Sequence, residues 1–229
     1  MLDALKSLDL LENTVVVFTS DHGCHFKTRN SEYKRSCHES SIRVPTAFRG
    51  GPFDGGGRLR ELVSLVDLAP TLLDAAGLTV PDDMQGRSIL PLLRGERHGW
   101  PEEVFVQISE SEVGRAVRTG RWKYSVVAPD SDPALEAGCD RYVEQHLYDL
   151  EADPYELTDL LGLESHRNGG RDAAATAATD GRGGREGSAD RTRLVSTSGQ
   201  RRVACGGTGV SRRRRRSPRT ARNGGASGR

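Results

Sequence analysis

The sequence predicts an α/β fold, followed by a small antiparallel sheet and a disordered tail. Leucines at helical spacing in residues 1–11 precede an apolar, β-branched run, which is the order found in one half of a βαβ unit. Apolar and polar residues alternate in several short segments of residues 104–150, as in antiparallel strands. Residues 167–229 contain 16 arginines and few apolar residues, so we expect them to form no core.

The first helix and strand lead to a pair of polar residues. The helix is predicted over residues 1–11 by four leucines in helical register: Leu2, Leu5, Leu8 and Leu11. Residues 15–19 form a short apolar run, as in a parallel strand that is buried on both faces. The run ends at Asp21 and His22. In open α/β sheets, ligand-binding groups collect at the carboxyl ends of such strands.

Two interpretations of Asp21 and His22 follow from the residues themselves. A carboxylate oxygen beside an imidazole is a common pair of metal ligands. The alternative is a simple turn, in which Asp21 accepts hydrogen bonds from backbone amides and Gly23 supplies a permissive φ angle. The residues of this segment alone leave both interpretations open.

The central part of the chain combines a long polar loop with a second helix. Residues 24–44 are rich in His, Lys, Arg and Ser, and loops of this length are often functional. Residues 45–49 suit a short strand. Apolar residues then share one face of a helix over residues 68–76, with Asp67 as its predicted N-cap and Gly77 at its end.

A second unit is predicted towards the C-terminus. Four segments have the alternation of strands, namely residues 104–108, 116–119, 122–127 and 147–150. We interpret the basic stretch around Lys123 as a strand with an exposed basic edge. The expected division of the chain is an α/β part at residues 1–98, a small antiparallel β subdomain at 99–166 and a disordered tail at 167–229.

Composition excludes several classes of protein. The four cysteines are widely spaced and form no CxxC pair, so they predict neither a zinc ribbon nor a dense disulfide framework. No secretory signal is recognisable, and no run approaches the roughly 18 apolar residues of a membrane span. We therefore expect a cytoplasmic protein without a membrane partner, although a lost N-terminus could have carried a signal.

Charge divides the chain into two unlike parts. Residues 1–166 carry 17 Lys and Arg against 28 Asp and Glu, whereas residues 167–229 carry 16 Arg against 4 acids. The cluster at residues 212–216 could bind nucleic acid electrostatically. The arginines are not interspersed with aromatic residues, and no recognisable nucleic-acid-binding fold precedes them. We therefore do not expect nucleic acid as a partner.

Several segments together resemble one family. The strand ends in Ser20-Asp21-His22-Gly23, and a loop leads to Lys34, which stands five residues before Glu39 and nine before the Arg of Arg43-Val44-Pro45. Further blocks follow in order at residues 64–78, 84–93 and 147–157. This series resembles the sulfatase family of the alkaline-phosphatase-like superfamily over about residues 1–166. The resemblance implies that residues 1–98 form part of an alkaline-phosphatase-like sheet with its helices.

The resemblance implies roles for individual residues. Asp21 and His22 match ligands of a divalent cation, which is typically Ca²⁺ in the family. Because His22 offers a nitrogen, Mn²⁺ and Zn²⁺ are also conceivable. Lys34 matches the lysine that contacts sulfate and the leaving group, and His25 is a further candidate for that contact. Glu39 and Arg43 are expected to be structural, as an ion pair that fixes the loop.

Two features of the family pattern are missing from the sequence. The family's nucleophile is a formylglycine made within a Cys/Ser-x-Pro/Ala-x-Arg motif, and none of the four cysteines stands in such a motif. The N-terminal pair of aspartates that completes the metal shell is also absent. We therefore expect the C-terminal part of a sulfatase that is inactive by itself.

The expected activity of the parent protein is hydrolysis of sulfate esters, on a sulfated small molecule or sugar. Phosphodiesterases and phosphonate hydrolases of the same superfamily are one alternative. A non-catalytic fragment whose basic tail binds nucleic acid is the other.

Overall fold

The computed structural model describes residues 1–166 and the backbone of two short strands at 193–195 and 202–204. Helix α1 spans Leu2–Ser7, and a 3₁₀ helix at Leu11–Asn13 follows it. The predicted single helix over residues 1–11 is therefore divided. The break lies at Asp9, whose φ of 55° is left-handed, and the amide of Leu10 turns back to the carbonyl of Leu5.

A two-stranded antiparallel sheet carries the Asp-His-Gly segment. Strand β1 spans Val16–Phe18 and pairs with β2 at Ala47–Arg49, so that Val17 lies opposite Phe48. The prediction of a parallel strand buried on both faces is wrong for the described residues, since Phe18 is 68% exposed. Within the described chain β1 pairs with β2 alone, and the pairing is antiparallel.

Along the chain, one α-helix lies between β1 and β2, and two more lie between β2 and the larger sheet. Helix α2 spans Glu39–Ile42, α3 spans Leu68–Ala75 and α4 spans Leu90–Leu93. As predicted, α3 ends before Gly77, which has a φ of 71°.

The predicted capping role of Asp67 is wrong in its detail. Asp67 occupies the N-cap position of α3, but its carboxylate accepts no hydrogen bond from that helix. Instead it accepts hydrogen bonds from the backbone amides of Ser64 and Arg87, at 2.8 and 2.9 Å. Asp67 thereby connects the N-terminus of α3 to the segment that precedes α4.

The larger sheet is antiparallel throughout, with strand order β3-β4-β5-β6-β8-β7. Its strands are β3 at Glu103–Ile108, β4 at Val113–Thr119, β5 at Trp122–Ala128, β6 at Tyr142–Asp149, β7 at Arg193–Val195 and β8 at Arg202–Ala204. Strands β3 to β6 confirm the four predicted segments, although β4 begins three residues and β6 five residues earlier than predicted. Their buried apolar residues include Val113, Tyr124 and Leu147.

Strands β7 and β8 were not predicted, because they fall within the segment expected to be disordered. The remainder of that segment, and the basic cluster at residues 212–216, lie outside the described residues. Among the described residues, no helix has both the length and the apolar character needed to cross a membrane. The α/β class is confirmed, while the domain boundary near residue 98 stays a prediction.

Lys123 corrects the interpretation of the basic stretch in β5. The side chain of Lys123 has no exposed surface, so this part of the strand is not an exposed basic edge. Its ammonium nitrogen pairs with the carboxylates of Glu39 and Glu156. The alternation of the strand turns Lys123 inward, towards the loop that follows Lys34.

Candidate functional site

The candidate site begins where β1 ends. The hydroxyl of Ser20 donates to the carbonyl of His22 at 2.8 Å, and the amide of His22 donates to Oδ1 of Asp21 at 3.0 Å. These bonds form a polar turn, in which Asp21 accepts a backbone amide as one of the two interpretations predicted. Gly23, however, does not adopt the left-handed φ angle for which glycine was expected there. The turn leaves the side chain of Asp21 largely exposed and free to make further contacts.

Gly23 holds this turn against α2. Its amide donates to the carbonyl of Ser41 at 2.7 Å. A Cβ atom at Gly23 would lie only 2.1 Å from the carbonyl oxygen of Ser40, so the two backbones approach as closely as glycine allows. The position of the Asp-His pair therefore depends on the helix that follows Lys34.

The structure brings Lys34 to His22, twelve residues earlier in the chain. The ammonium nitrogen of Lys34 lies 2.9 Å from Nε2 of His22, and Oδ2 of Asp21 lies 3.5 Å from the same ring nitrogen. Three of the four predicted site residues thus meet at one point, and they line the same cleft.

The hydrogen bonds of His22 assign its tautomer. Nδ1 of the ring lies 2.7 Å from the carbonyl oxygen of Gly23. Because a carbonyl can only accept, Nδ1 carries the hydrogen and Nε2 presents its lone pair to Lys34. Metal-binding histidines are commonly oriented by this kind of bond from the second ring nitrogen to a backbone carbonyl.

The charge state of Asp21 follows from its neighbours. Desolvation acts to raise the pKa of Asp21, but hydrogen bonds from the backbone amides of His22 and Asp21 and the ammonium of Lys34 outweigh it and hold the pKa below its ordinary value. Asp21 is therefore a carboxylate at neutral pH, which is the form that can bind a cation.

Two donors fit a divalent cation, but they do not form a complete shell. The carboxylate of Asp21 and the Nε2 lone pair of His22 are close enough to serve one ion. Within the part of the chain that the structure describes, no group of three or more His, Cys, Asp or Glu side chains could hold a metal. Since Ca²⁺ takes six to eight oxygen ligands, the remaining ligands would have to come from elsewhere.

His25 does not line the cleft that Asp21, His22 and Lys34 share. Its ring is buried, and neither ring nitrogen has a hydrogen-bond partner among the described residues. Its backbone amide donates to the carbonyl of Tyr33 at 2.8 Å, which fixes the loop next to Lys34. No hydrogen bond joins the His25 ring to Asp21, His22 or Lys34 in the described chain.

His38 packs among aromatic rings. Its ring lies 5.3 Å from that of His146 and 5.6 Å from that of Tyr148, measured between centroids. Its two nitrogens contact the hydroxyls of Ser36 and Tyr148, both at 3.1 Å. Burial, together with the positive charge of Arg29, lowers the pKa of His38 to about 3, so this imidazole is neutral.

The predicted ion pair of Glu39 with Arg43 is wrong. Glu39 pairs instead with Lys123 at 2.8 Å and with Arg118 at 3.4 Å. Burial acts to raise the pKa of Glu39, but these two cations outweigh it and hold the pKa below its ordinary value. Lys123 therefore binds the loop of the candidate site to the larger sheet.

Tyr33 is a contact that the sequence analysis missed. Its ring meets the ring of His22 edge-on, with centroids 6.1 Å apart, and the Lys34 nitrogen lies 5.6 Å from its centroid. In the sequence, this contact was indicated only by the position of an aromatic residue immediately before the candidate lysine.

Comparison with known proteins identifies the family. A family model described as N-sulphoglucosamine sulphohydrolase, C-terminal, matches residues 31–169. The chain belongs to this family of sulfatases.

Relatives and solved structures agree with that assignment. Arylsulfatase K of Mus musculus is 34% identical over 167 residues, which cover 69% of this chain and 28% of the relative. A solved 2-O GAG sulfatase is 28% identical, with a TM-score of 0.65 over 81% of this chain and 40% of that one. A second structure, determined with its substrate D-glucosamine-2-N,6-O-disulfate, is 26% identical with a TM-score of 0.62, over 78% and 36% of the two chains.

This sulfatase chain corresponds to only part of its relatives. It spans 28% of the length of mouse Arylsulfatase K and about 36–40% of the two solved chains. The matched family region contains Lys34 and Glu39, whereas Asp21 and His22 precede it.

Proposed function

We propose that this chain supplies one side of the active site of a sulfuric ester hydrolase. The observation that carries the proposal is the meeting of Lys34 with His22 at 2.9 Å, beside the carboxylate of Asp21. The ammonium of Lys34 could bind an anion, while the carboxylate of Asp21 and the nitrogen of His22 could bind the metal cation that accompanies it.

Asp21 and His22 would hold a divalent cation, with Ca²⁺ as the first candidate and Mn²⁺ or Zn²⁺ as alternatives. Such an ion, when bound, neutralises sulfate oxygens and orients the ester. The Nδ1–H of His22 stays on the carbonyl of Gly23, which keeps the Nε2 lone pair directed at the ion position.

Lys34 would bind the sulfate itself. The Nε2 lone pair of His22, which lies 2.9 Å from the Lys34 ammonium, can serve either that ammonium or a metal ion. With the ion bound, the ammonium would therefore release His22 and turn its three hydrogens to sulfate oxygens. The same positive charge would stabilise negative charge on the leaving oxygen as the ester bond breaks. The contact of His25 with the leaving group stays a prediction, because its ring is buried and forms no hydrogen bond with these three residues.

The substrate class is a sulfated small molecule, and a sulfated sugar is favoured within it. One structural neighbour was solved with a disulfated glucosamine, and another is a 2-O GAG sulfatase. Phosphonate or phosphodiester hydrolysis, the alternative within the superfamily, is less favoured because the matching family model and these neighbours are sulfatases.

The isolated chain is expected to bind without turning over substrate. None of its cysteines stands in the motif from which the family makes its formylglycine nucleophile. Hydrolysis would therefore require residues that this sequence does not contain.

Calorimetric titration of the full chain with Ca²⁺ and with Mn²⁺ tests the proposal. Binding should be weakened in Asp21→Ala and in His22→Ala, and unchanged in Asp3→Ala, which removes an exposed aspartate of α1. Equal affinities in all four proteins would disprove the metal assignment. Measurable turnover of an aryl sulfate by the purified chain would disprove its expected inactivity.

A further inference from the structure

Tyr33 makes two ring contacts within the candidate site. Its ring lies 5.6 Å below the ammonium of Lys34, within the distance over which a cation is attracted to an aromatic face. It also meets the imidazole of His22 at an interplanar angle of 67°, an edge-to-face arrangement that aromatic pairs favour. One ring therefore contacts both partners of the hydrogen bond between Lys34 and His22.

The backbone of Tyr33 is fixed as well as its ring. Its carbonyl accepts the amide of His25 at 2.8 Å, where the chain turns back over residues 25–28. The turn contains two residues with left-handed backbone, Phe26 and Lys27, with φ angles of 52° and 62°. Because such angles are unfavourable for these residue types, the surrounding loop must hold them in place.

Lys34 needs such support. A lysine side chain has four rotatable bonds and loses considerable entropy when it is fixed. A single hydrogen bond to His22 leaves most of that freedom, whereas an additional aromatic face restricts the ammonium to one side.

We infer that Tyr33 is a positioning residue that sets the ammonium of Lys34 for anion binding. This inference rests on the proposed role of Lys34 towards sulfate. The tyrosine acts through its ring and not through its hydroxyl, since both contacts are made by the aromatic plane. The Tyr33 side chain is 45% exposed, so its replacement should leave the fold intact.

Nuclear magnetic resonance of the full chain, labelled with ¹³C at the lysine ε position, tests the inference without any ligand. The sequence contains four lysines, so the Lys34 resonance can be assigned with Lys34→Arg. The ring of Tyr33 should shift the Lys34 ε protons upfield. Tyr33→Phe should keep this shift, and Tyr33→Leu should abolish it.

The matched control is Tyr155→Leu, which makes the same replacement at a tyrosine that is 76% exposed. The ring of Tyr155 forms no aromatic or cation contact in the described part of the chain, so the Lys34 shift should be unchanged. An unaltered Lys34 resonance in Tyr33→Leu would overturn the inference.

Titration with inorganic sulfate then measures the consequence. Tyr33→Leu should bind sulfate roughly two- to fivefold more weakly than the wild type, as for an exposed cation–π contact, while Tyr33→Phe should match the wild type. Equal sulfate affinity in Tyr33→Leu and the wild type would overturn the positioning role. Absence of sulfate binding in the wild type would count against the proposed function, and the Lys34 shift would still decide the role of Tyr33.

Discussion

The ammonium nitrogen of Lys123 lies 2.8 Å from Oε1 of Glu39, and the lysine side chain has no exposed surface. Glu39 opens α2, while Lys123 belongs to β5 of the larger sheet. The carboxylate of Glu156 accepts hydrogen bonds from the same ammonium and from the backbone amide of Glu39. This buried group therefore joins three distant segments behind the loop that carries Lys34.

Replacing Lys123 by Met should lower the free energy of unfolding by about 3–5 kcal/mol. Removal of one partner from a buried ion pair leaves an uncompensated charge, and here two carboxylates lose their shared cation. Urea unfolding of the wild type and the variant, monitored by circular dichroism, measures the difference.

Arg94→Met is the control for this experiment. Arg94 pairs with Glu96 at 2.7 Å, but both side chains are more than half exposed. Because solvent screens an exposed pair, its loss should change the free energy of unfolding far less than loss of the buried pair. Equal losses in the two variants would contradict the structural role of the buried cluster.

Gly23→Ala should destabilise the chain by about 1–3 kcal/mol, because the new methyl group would meet the backbone carbonyl of Ser40 at 2.1 Å. No side-chain rotation can relieve that clash, so the Asp-His turn must move away from α2. The variant should therefore also show a changed Lys34 resonance, measured in the lysine-labelled protein.

Gly55→Ala provides a comparison with the same chemical change. A Cβ atom at Gly55 would have no heavy atom within 4 Å, and its φ angle is not left-handed. The substitution should be neutral or slightly stabilising, by up to about 1 kcal/mol. The prediction for Gly23 fails if both alanine variants unfold at the same urea concentration.

Asp67→Ala should cost roughly 2–4 kcal/mol, since the backbone amides of Ser64 and Arg87 would both lose their acceptor in a buried position. Asp83→Ala, at an exposed position of the following loop, should change the stability by less than about 0.5 kcal/mol. Thermal unfolding of both variants measures the contrast, and a small effect at Asp67 would refute its bridging role.

The sequence was sufficient where structure depends on local periodicity. Strands β3 to β6 follow from alternating apolar residues, and the end of α3 follows from the need for a left-handed residue at Gly77. The role of Asp67 could not be predicted in full, because one of its two partners lies twenty residues further along the chain.

The residues themselves indicated Asp21 and His22, whereas Lys34 was predicted only through the spacing of a family. Nothing local brings Lys34 to His22, since the intervening loop has no regular periodicity. The buried state of Lys123 depends on Glu156, which lies 33 residues away, so the local sequence of the strand predicts an exposed basic edge that the fold does not have. Tyr33 was missed for the same reason, since its contacts exist only after the loop has folded back.

His38 should make the chain sensitive to acid. Burial, aided by the positive charge of Arg29, lowers the pKa of His38 from 6.5 to about 3 in the folded state, so the unfolded chain binds more protons between these two values. The stability conferred by the neutral imidazole is therefore complete above about pH 6.5. It is lost progressively as the pH falls towards 3.

His38→Gln should reduce this acid dependence, because glutamine can still contact Ser36 and Tyr148 but takes up no proton in this range. The variant should be less stable than the wild type at pH 7, through imperfect packing beside His146. The difference between the two proteins should shrink at each step of acidification, in urea unfolding series from pH 7 to pH 4. A difference that stays constant over that range would mean that the folded chain accommodates a protonated His38, contrary to its buried position among cations.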